Sequence, residues 1–170
     1  SPIGAGLGGS SSLCISMLKA FNIWMGESFE VHELVRLASH LEAQVLRKPT
    51  GTQDYFPAIS GGLNIIEYRV TGPHQQVMPI PTSIFENRFC LVYTGKSHHS
   101  GINNWQVIKD WLDGDSKTRK ALEDLSVISK KVEIAVRQSR DWEFTELFRS
   151  EFEARVRLSS GFSSPEITRL

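Results

Sequence analysis

Nine residues near the start of the chain, Gly4-Ala5-Gly6-Leu7-Gly8-Gly9-Ser10-Ser11-Ser12, admit few local structures. Glycine lets the backbone turn sharply and brings its amides close to a ligand, because no Cβ intervenes. Leu13, Met17, Leu18, Phe21 and Trp24 then recur at helical spacing, so a helix is predicted from Ser10 to about Met25. A glycine loop running into a helix leaves first-turn N–H groups unpaired at the positive end of the helix dipole, a favourable place for phosphate. The serine hydroxyls can bond phosphate oxygens or magnesium. A tight turn with serine helix caps would use the same residues without any ligand. Gly4, Gly6 and Gly9 also satisfy the G-x-G-x-x-G spacing of a dinucleotide site. That fold requires a strand after the helix and an acid about 20 residues on. Glu27 stands near the place, but the helical stripe runs to Met25 and a second helical pattern follows. The Gly-Lys-Ser/Thr of a P-loop is absent. A kinase loop of another type remains.

The second helix is predicted from about Glu30 to Leu46, with Val31, Leu34, Val35, Ala38, Leu41 and Val45 on one face. Pro49, Gly51, Gly61 and Gly62 punctuate a loop-rich stretch with a short helix near Asp54 to Ile59. Leu63 to Val70 and Gln75 to Ile80 are predicted strands, joined by a turn at Thr71-Gly72-Pro73. Phe89 to Tyr93 reads as a buried strand. Beyond Ser100 helices dominate: Ile102 to Leu112, then Asp115 to about Arg137 with Leu122, Leu125, Ile128, Val132 and Val136 inward. A third, capped by Asp141, turns Phe144, Leu147, Phe148, Phe152 and Val156 inward. Ser164-Pro165-Glu166 opens a further helix. The composition shifts after Pro79-Ile80-Pro81, which sets an expected division into residues 1–82 and 83–170.

The 170 residues carry zero formal net charge, which gives no electrostatic reason to expect nucleic acid or an anionic membrane as partner. No apolar run approaches the ~20 residues that span a bilayer. Cys14 and Cys90 are far apart, and the expectation is a reduced, cytoplasmic pair. The chain opens directly on the loop with no strand before it, as expected of part of a longer protein.

Phosphoryl transfer needs a metal near the phosphates and a group that orients the attacking hydroxyl. Two downstream acids are candidates. Glu42 lies late on the second helix, where a plain solvated residue is the alternative. Asp54 lies in Thr50-Gly51-Thr52-Gln53-Asp54-Tyr55, where an N-cap for the short helix is the alternative.

Pro2-Ile3-Gly4-Ala5-Gly6-Leu7-Gly8-Gly9-Ser10-Ser11-Ser12 resembles the second signature motif of the GHMP kinases. Gly51-Thr52-Gln53-Asp54, followed by Gly61-Gly62-Leu63-Asn64, resembles the segment carrying their catalytic aspartate. Together with Leu91-Val92-Tyr93-Thr94-Gly95, it is most similar to the heptose 7-phosphate kinases of that superfamily. The resemblance implies an α+β, two-domain kinase, incomplete at both ends. Residues 1–82 would complete a ribosomal-protein-like N-terminal domain, and 83–170 would begin a ferredoxin-like C-terminal one, with the active cleft between them. Gly4, Ala5, Gly6, Leu7, Gly8, Gly9, Ser10 and Ser11 would hold ATP, Ser10 and Glu42 would hold Mg²⁺, and Asp54 would be catalytic. The implied partners are ATP and a sugar or sugar phosphate, foremost the anomeric hydroxyl of a heptose 7-phosphate, and a homodimer is compatible with it. A galactose or fucose kinase, or a nucleotide-binding regulator without turnover, is the alternative on the same fold. The family's first and third motifs are not in these residues, and Thr52 stands where many heptose kinases have lysine.

His98-His99 lack a third metal ligand and are read as a polar loop, with Lys96 a candidate phosphate contact. His32 and His40 are expected on a partly exposed helix surface. Trp24, Trp105, Trp111 and Trp142 are expected to be packing residues. The basic residues Lys130, Lys131, Arg137, Arg140, Arg155 and Arg157 are expected on solvated helix faces.

Overall fold

The computed structural model describes residues 6–80, 83–86, 88–95 and 100–168. Gly4 and Ala5 of the loop, and Lys96, His98 and His99, lie outside the described residues. The chain is α+β and divides into two compact units, Ser1–His99 and Ser100–Leu170.

In the first unit, helices α1 (Gly9–Met25), α2 (Val31–Leu46) and α3 (Tyr55–Ser60) precede a hairpin of β1 (Leu63–Arg69) and β2 (Gly72–Met78) and a short α4 (Ser83–Glu86). A reciprocal capping box starts α2: the Glu30 side chain takes the Glu33 amide, and the Glu30 amide donates to Glu33 Oε2 at 2.9 Å. Ile15 of α1, Val35 and Ala38 of α2, and Tyr55 and Phe56 of α3 form the core. Cys14, Leu18, Val31, Ala58, Ile59 and Ile66 pack around it. The α1 face differs from the expected one. Ser11, Ile15 and Asn22 are buried, whereas Leu13, Met17, Phe21 and Trp24 are exposed. Both sides of α1 are apolar, and the side with smaller residues is the one that meets α2 and α3. On α2, Leu34, Val35 and Ala38 are buried as expected, while Leu41 and Val45 at its far end are exposed.

The hairpin pairs Leu63 with Met78 through Arg69 with Gly72, so the turn is Val70-Thr71, one residue earlier than the glycine and proline suggest. Gly72 begins β2 at φ 112, a conformation open to glycine. Pro73 sits opposite Tyr68, which a two-stranded sheet tolerates because each strand has an unpaired edge. Phe89 to Tyr93 is not a strand: it is irregular, with Phe89, Leu91, Val92 and Tyr93 exposed. A lone extended segment has no ladder for its amides, and among the described residues the sheet contains only β1 and β2.

The second unit contains α5 (Ser100–Leu112), α6 (Ser116–Arg137), α7 (Phe144–Leu158) and α8 (Pro165–Thr168). Asp115 caps α6 by accepting the Thr118 amide at 2.7 Å. Ala121, Ile128, Ala135 and Val136 of α6, and Phe144 and Ala154 of α7, are buried. A 3₁₀ turn over Asp141–Glu143 leads into α7, and Phe148 and Phe152 are exposed rather than inward. Small alanines make this helix contact, leaving the larger rings outside. All four tryptophans are exposed, so they are not core residues of either unit. Arg137 pairs with Glu133 and Arg157 with Asp124 on exposed faces, whereas Arg140, which pairs with Glu143, is half-buried with its Nε inside rather than on a solvated face. His32 and His40 are exposed. Among the described residues, no helix is long and apolar enough to cross a membrane.

The two faces of α1 are separable by mutation. Ile15→Ala is expected to destabilise the 170-residue chain by about 2–5 kcal/mol, because it empties the core. Phe21→Ala on the opposite face is expected to change stability by less than about 0.5 kcal/mol. Urea unfolding of the two variants measures the contrast, and equal losses would reverse the assignment of the inward face.

Candidate functional site

Gly6 and Gly8 adopt left-handed backbone, with φ 72 and 66. Gly8 is the N-cap of α1 and supplies no side-chain cap, and the first turn contains no acid. The amides at the start of α1 are thus left to an external acceptor, at the positive end of a 17-residue helix. Ser10 is exposed and Ser11 is buried, so the Ser10 hydroxyl faces solvent while Ser11 is turned toward the interior. Leu7 and Gly9 are exposed.

Asp54 comes directly against this loop. A methyl group placed on Gly8 would sit 3.5 Å from Asp54 Cβ and Cγ and 3.7 Å from its Oδ2. Asp54 occupies the N-cap position of α3, but its side chain makes no capping hydrogen bond. The helix-cap alternative therefore describes its position and not its carboxylate, which is exposed beside Gly8. Two segments separated by more than forty residues are brought together by the packing of α1 on α3. Lys19 of α1 reinforces that packing, its Nζ donating to the Ile59 carbonyl of α3 at 3.0 Å.

Glu42 is not a solvated helix residue. It is half-buried, and its Oε2 accepts a hydrogen bond from the Tyr55 hydroxyl. Tyr55 is fully buried, and burial first, then the bond to Glu42, push its hydroxyl well above the ordinary value of 10.0; a bond from Thr50 acts in the opposite direction. The thiol of Cys14 on α1 is raised from the ordinary 9.0 by burial and then by the Glu42 charge. Glu42 is thus within electrostatic reach of Cys14, one helical turn beyond Ser10 and Ser11. Among the described residues, no three His, Cys, Asp or Glu side chains gather into a metal cage. Mg²⁺ does not require one, since it is commonly held by one or two carboxylates plus substrate phosphates. A single carboxylate whose charge reaches α1 at Cys14 fits that donor set.

Tyr55, Lys19, Thr50 and Cys14 escaped the sequence reading. Tyr55 alone had a signal, as the polar-tipped aromatic immediately after Asp54. On the far side of Asp54, the Thr52 hydroxyl lies 3.0 Å from that of Tyr68 on β1. Gln75 of β2 bonds Ser60 Oγ at 3.1 Å and also Asn64, whose amide holds the carbonyls of Gly61 and Gly62.

Residues 1–62 match the family described as GHMP kinases N terminal domain. The chain is also 25% identical, over 173 aligned positions and 99% of its length, to a D-glycero-alpha-D-manno-heptose 7-phosphate kinase of Campylobacter jejuni. It spans about half (50%) of the length of that curated relative.

The environment of Tyr55 predicts an alkaline limit to stability. Below about pH 10 both folded and unfolded chains hold the tyrosine proton. Above it the unfolded chain releases the proton and the folded chain retains it, so stability falls as the pH rises. Urea midpoints between pH 8 and 11 should show this decline, and Tyr55→Phe should flatten the part above pH 10. An unchanged slope in that variant would place the loss elsewhere.

Proposed function

We propose, from a chain whose first 62 residues carry the GHMP kinase N-terminal domain, that the protein phosphorylates a sugar or sugar phosphate with ATP. The observation that carries this reading is the exposed Asp54 carboxylate against Gly8 at the uncapped start of α1. An anion-binding helix start and a carboxylate free of structural duty are the two groups that phosphoryl transfer to an alcohol needs in one place.

In the proposed reaction the loop backbone from Gly4 to Gly9, with Ser10 and Ser11, holds the ATP phosphates. The acceptor oxygen forms a bond to the γ-phosphorus as the bond from that phosphorus to the bridging oxygen of ADP breaks. The acceptor proton passes to the Asp54 carboxylate, which orients the hydroxyl beforehand. Glu42 and the Ser10 hydroxyl would hold Mg²⁺, which when bound neutralises charge on the phosphates. The leading acceptor is the anomeric hydroxyl of a heptose 7-phosphate, supported by the kinase named above. Residues 1–82 would complete the ATP-binding domain and residues 83–170 would begin the second domain.

ADP release by the intact protein, measured across a panel of sugars and sugar phosphates, tests the reading. Turnover is expected with a heptose 7-phosphate, and its loss by about 10²-fold or more in Asp54→Ala. Absence of ADP release with every acceptor would overturn the kinase assignment. Gly8→Ala is expected to weaken ATP binding, because a non-glycine residue at φ 66 costs roughly 1–2 kcal/mol and its methyl would face Asp54. Calorimetric titration with ATP and Mg²⁺ reads that effect; an unchanged affinity would remove Gly8 from the phosphate site.

A further inference from the structure

We infer that Tyr55 is a positioning residue, fixing the Glu42 carboxylate for the metal that accompanies the nucleotide. The inference rests on the proposed role of Glu42 and adds a residue to it. The Tyr55 ring is fully buried among Ile15, Val35, Ala38 and Phe56. A phenol in such surroundings must find a partner, since an unpaired buried hydroxyl is costly. The acceptor of its hydrogen bond is Glu42 Oε2, on a different helix and half-buried. Because the ring is clamped by the core, its oxygen is a fixed point, and one carboxylate oxygen is tied to it. Oε1 is the oxygen that Tyr55 does not engage.

Tyr55 also follows Asp54 directly in the chain. The start of α3 therefore sets two acids at once: Asp54 through the backbone and Glu42 through the phenol. A carboxylate free to swing would lose rotamer freedom on binding a cation, whereas a tethered one has already lost it. Partners that orient a metal ligand in this way typically contribute 10–100-fold in metal affinity.

The test is Mn²⁺ binding to the intact protein with ADP present, read from the electron paramagnetic resonance of free Mn²⁺. Tyr55→Phe keeps the ring and removes the tether. It is expected to weaken Mn²⁺ binding about 10-fold and to raise the Mg²⁺ concentration for half-maximal ADP release similarly, leaving the sugar KM unchanged. A 4-aminophenylalanine at position 55, which retains a donor, should restore both. If Tyr55→Phe does not fold, 4-methylphenylalanine fills the hydroxyl's place without a donor and takes over as the test. Wild-type Mn²⁺ affinity in a folded variant that lacks the donor overturns the inference. Glu42→Ala separates the two levels. If it also binds Mn²⁺ normally, the metal role of Glu42 fails and the Tyr55 inference with it. If Glu42→Ala loses Mn²⁺ while Tyr55→Phe keeps it, only the positioning role fails.

Discussion

The first unit depends on the burial of one aromatic ring with a polar tip. Tyr55 enters the space between α1 and α2 and buries its ring against Ile15, Val35 and Ala38. Burying a side chain of this size contributes on the order of 1.5–3 kcal/mol, but only if the hydroxyl is not stranded. Glu42 removes that penalty by accepting a hydrogen bond from the phenol. A hydrogen bond to a charged group contributes about 1.5–3 kcal/mol. The same contact therefore closes the core and fixes an acid within electrostatic reach of Cys14 on α1. Structure and candidate chemistry share one bond here, which is why a free surface carboxylate does not describe Glu42.

Helix α1 shows how a correct element can carry an incorrect face. Its sequence is apolar on more than one side, and periodicity alone selects the side with the largest residues. The contact with α2 and α3 instead uses Ser11, Cys14, Ile15 and Leu18, which are smaller on average and let the helices approach. The start of α1 is drawn to Asp54 by that approach, so a close Gly8 and a small inward face are parts of one arrangement. The same preference for small residues at a helix contact recurs in the second unit. There Ala121, Ala135 and Ala154 are buried, while Phe148 and Phe152 stay outside.

Features set by neighbouring residues were legible in the sequence. The Ser164-Pro165 helix start and the glycine loop feeding α1 depend on chain chemistry within a few positions. The motif match put the loop and Asp54 in one candidate site, and the structure sets Asp54 against Gly8. What was hidden depends on partners distant in the chain. The Phe89 to Tyr93 segment has strand-forming residues, but a strand exists only with a neighbour to bond, and composition does not supply one. The hairpin turn was displaced because Gly72-Pro73 resembles a turn in isolation, whereas the ladder register puts both residues in β2. Tyr55 was hidden for the same reason: its hydroxyl partner is contributed by another helix.

The liberty of the Asp54 carboxylate has a structural cost that other groups offset. An aspartate at an N-cap ordinarily bonds its own helix, which is typically worth about 1 kcal/mol. Helix α3 has six residues and forgoes that bond, although short helices are marginal without support. It is held from outside instead. At one end the Tyr55 hydroxyl ties it to Glu42 of α2, and at the other the Lys19 ammonium meets the Ile59 carbonyl. A cation at a helix C-terminus is favourable to the dipole and satisfies an orphan acceptor. With both ends anchored by α1 and α2, the helix does not need its own N-cap side chain. Asp54 is then available to face Gly8, and the residue that a local rule would assign to capping is the one left free for the proposed chemistry.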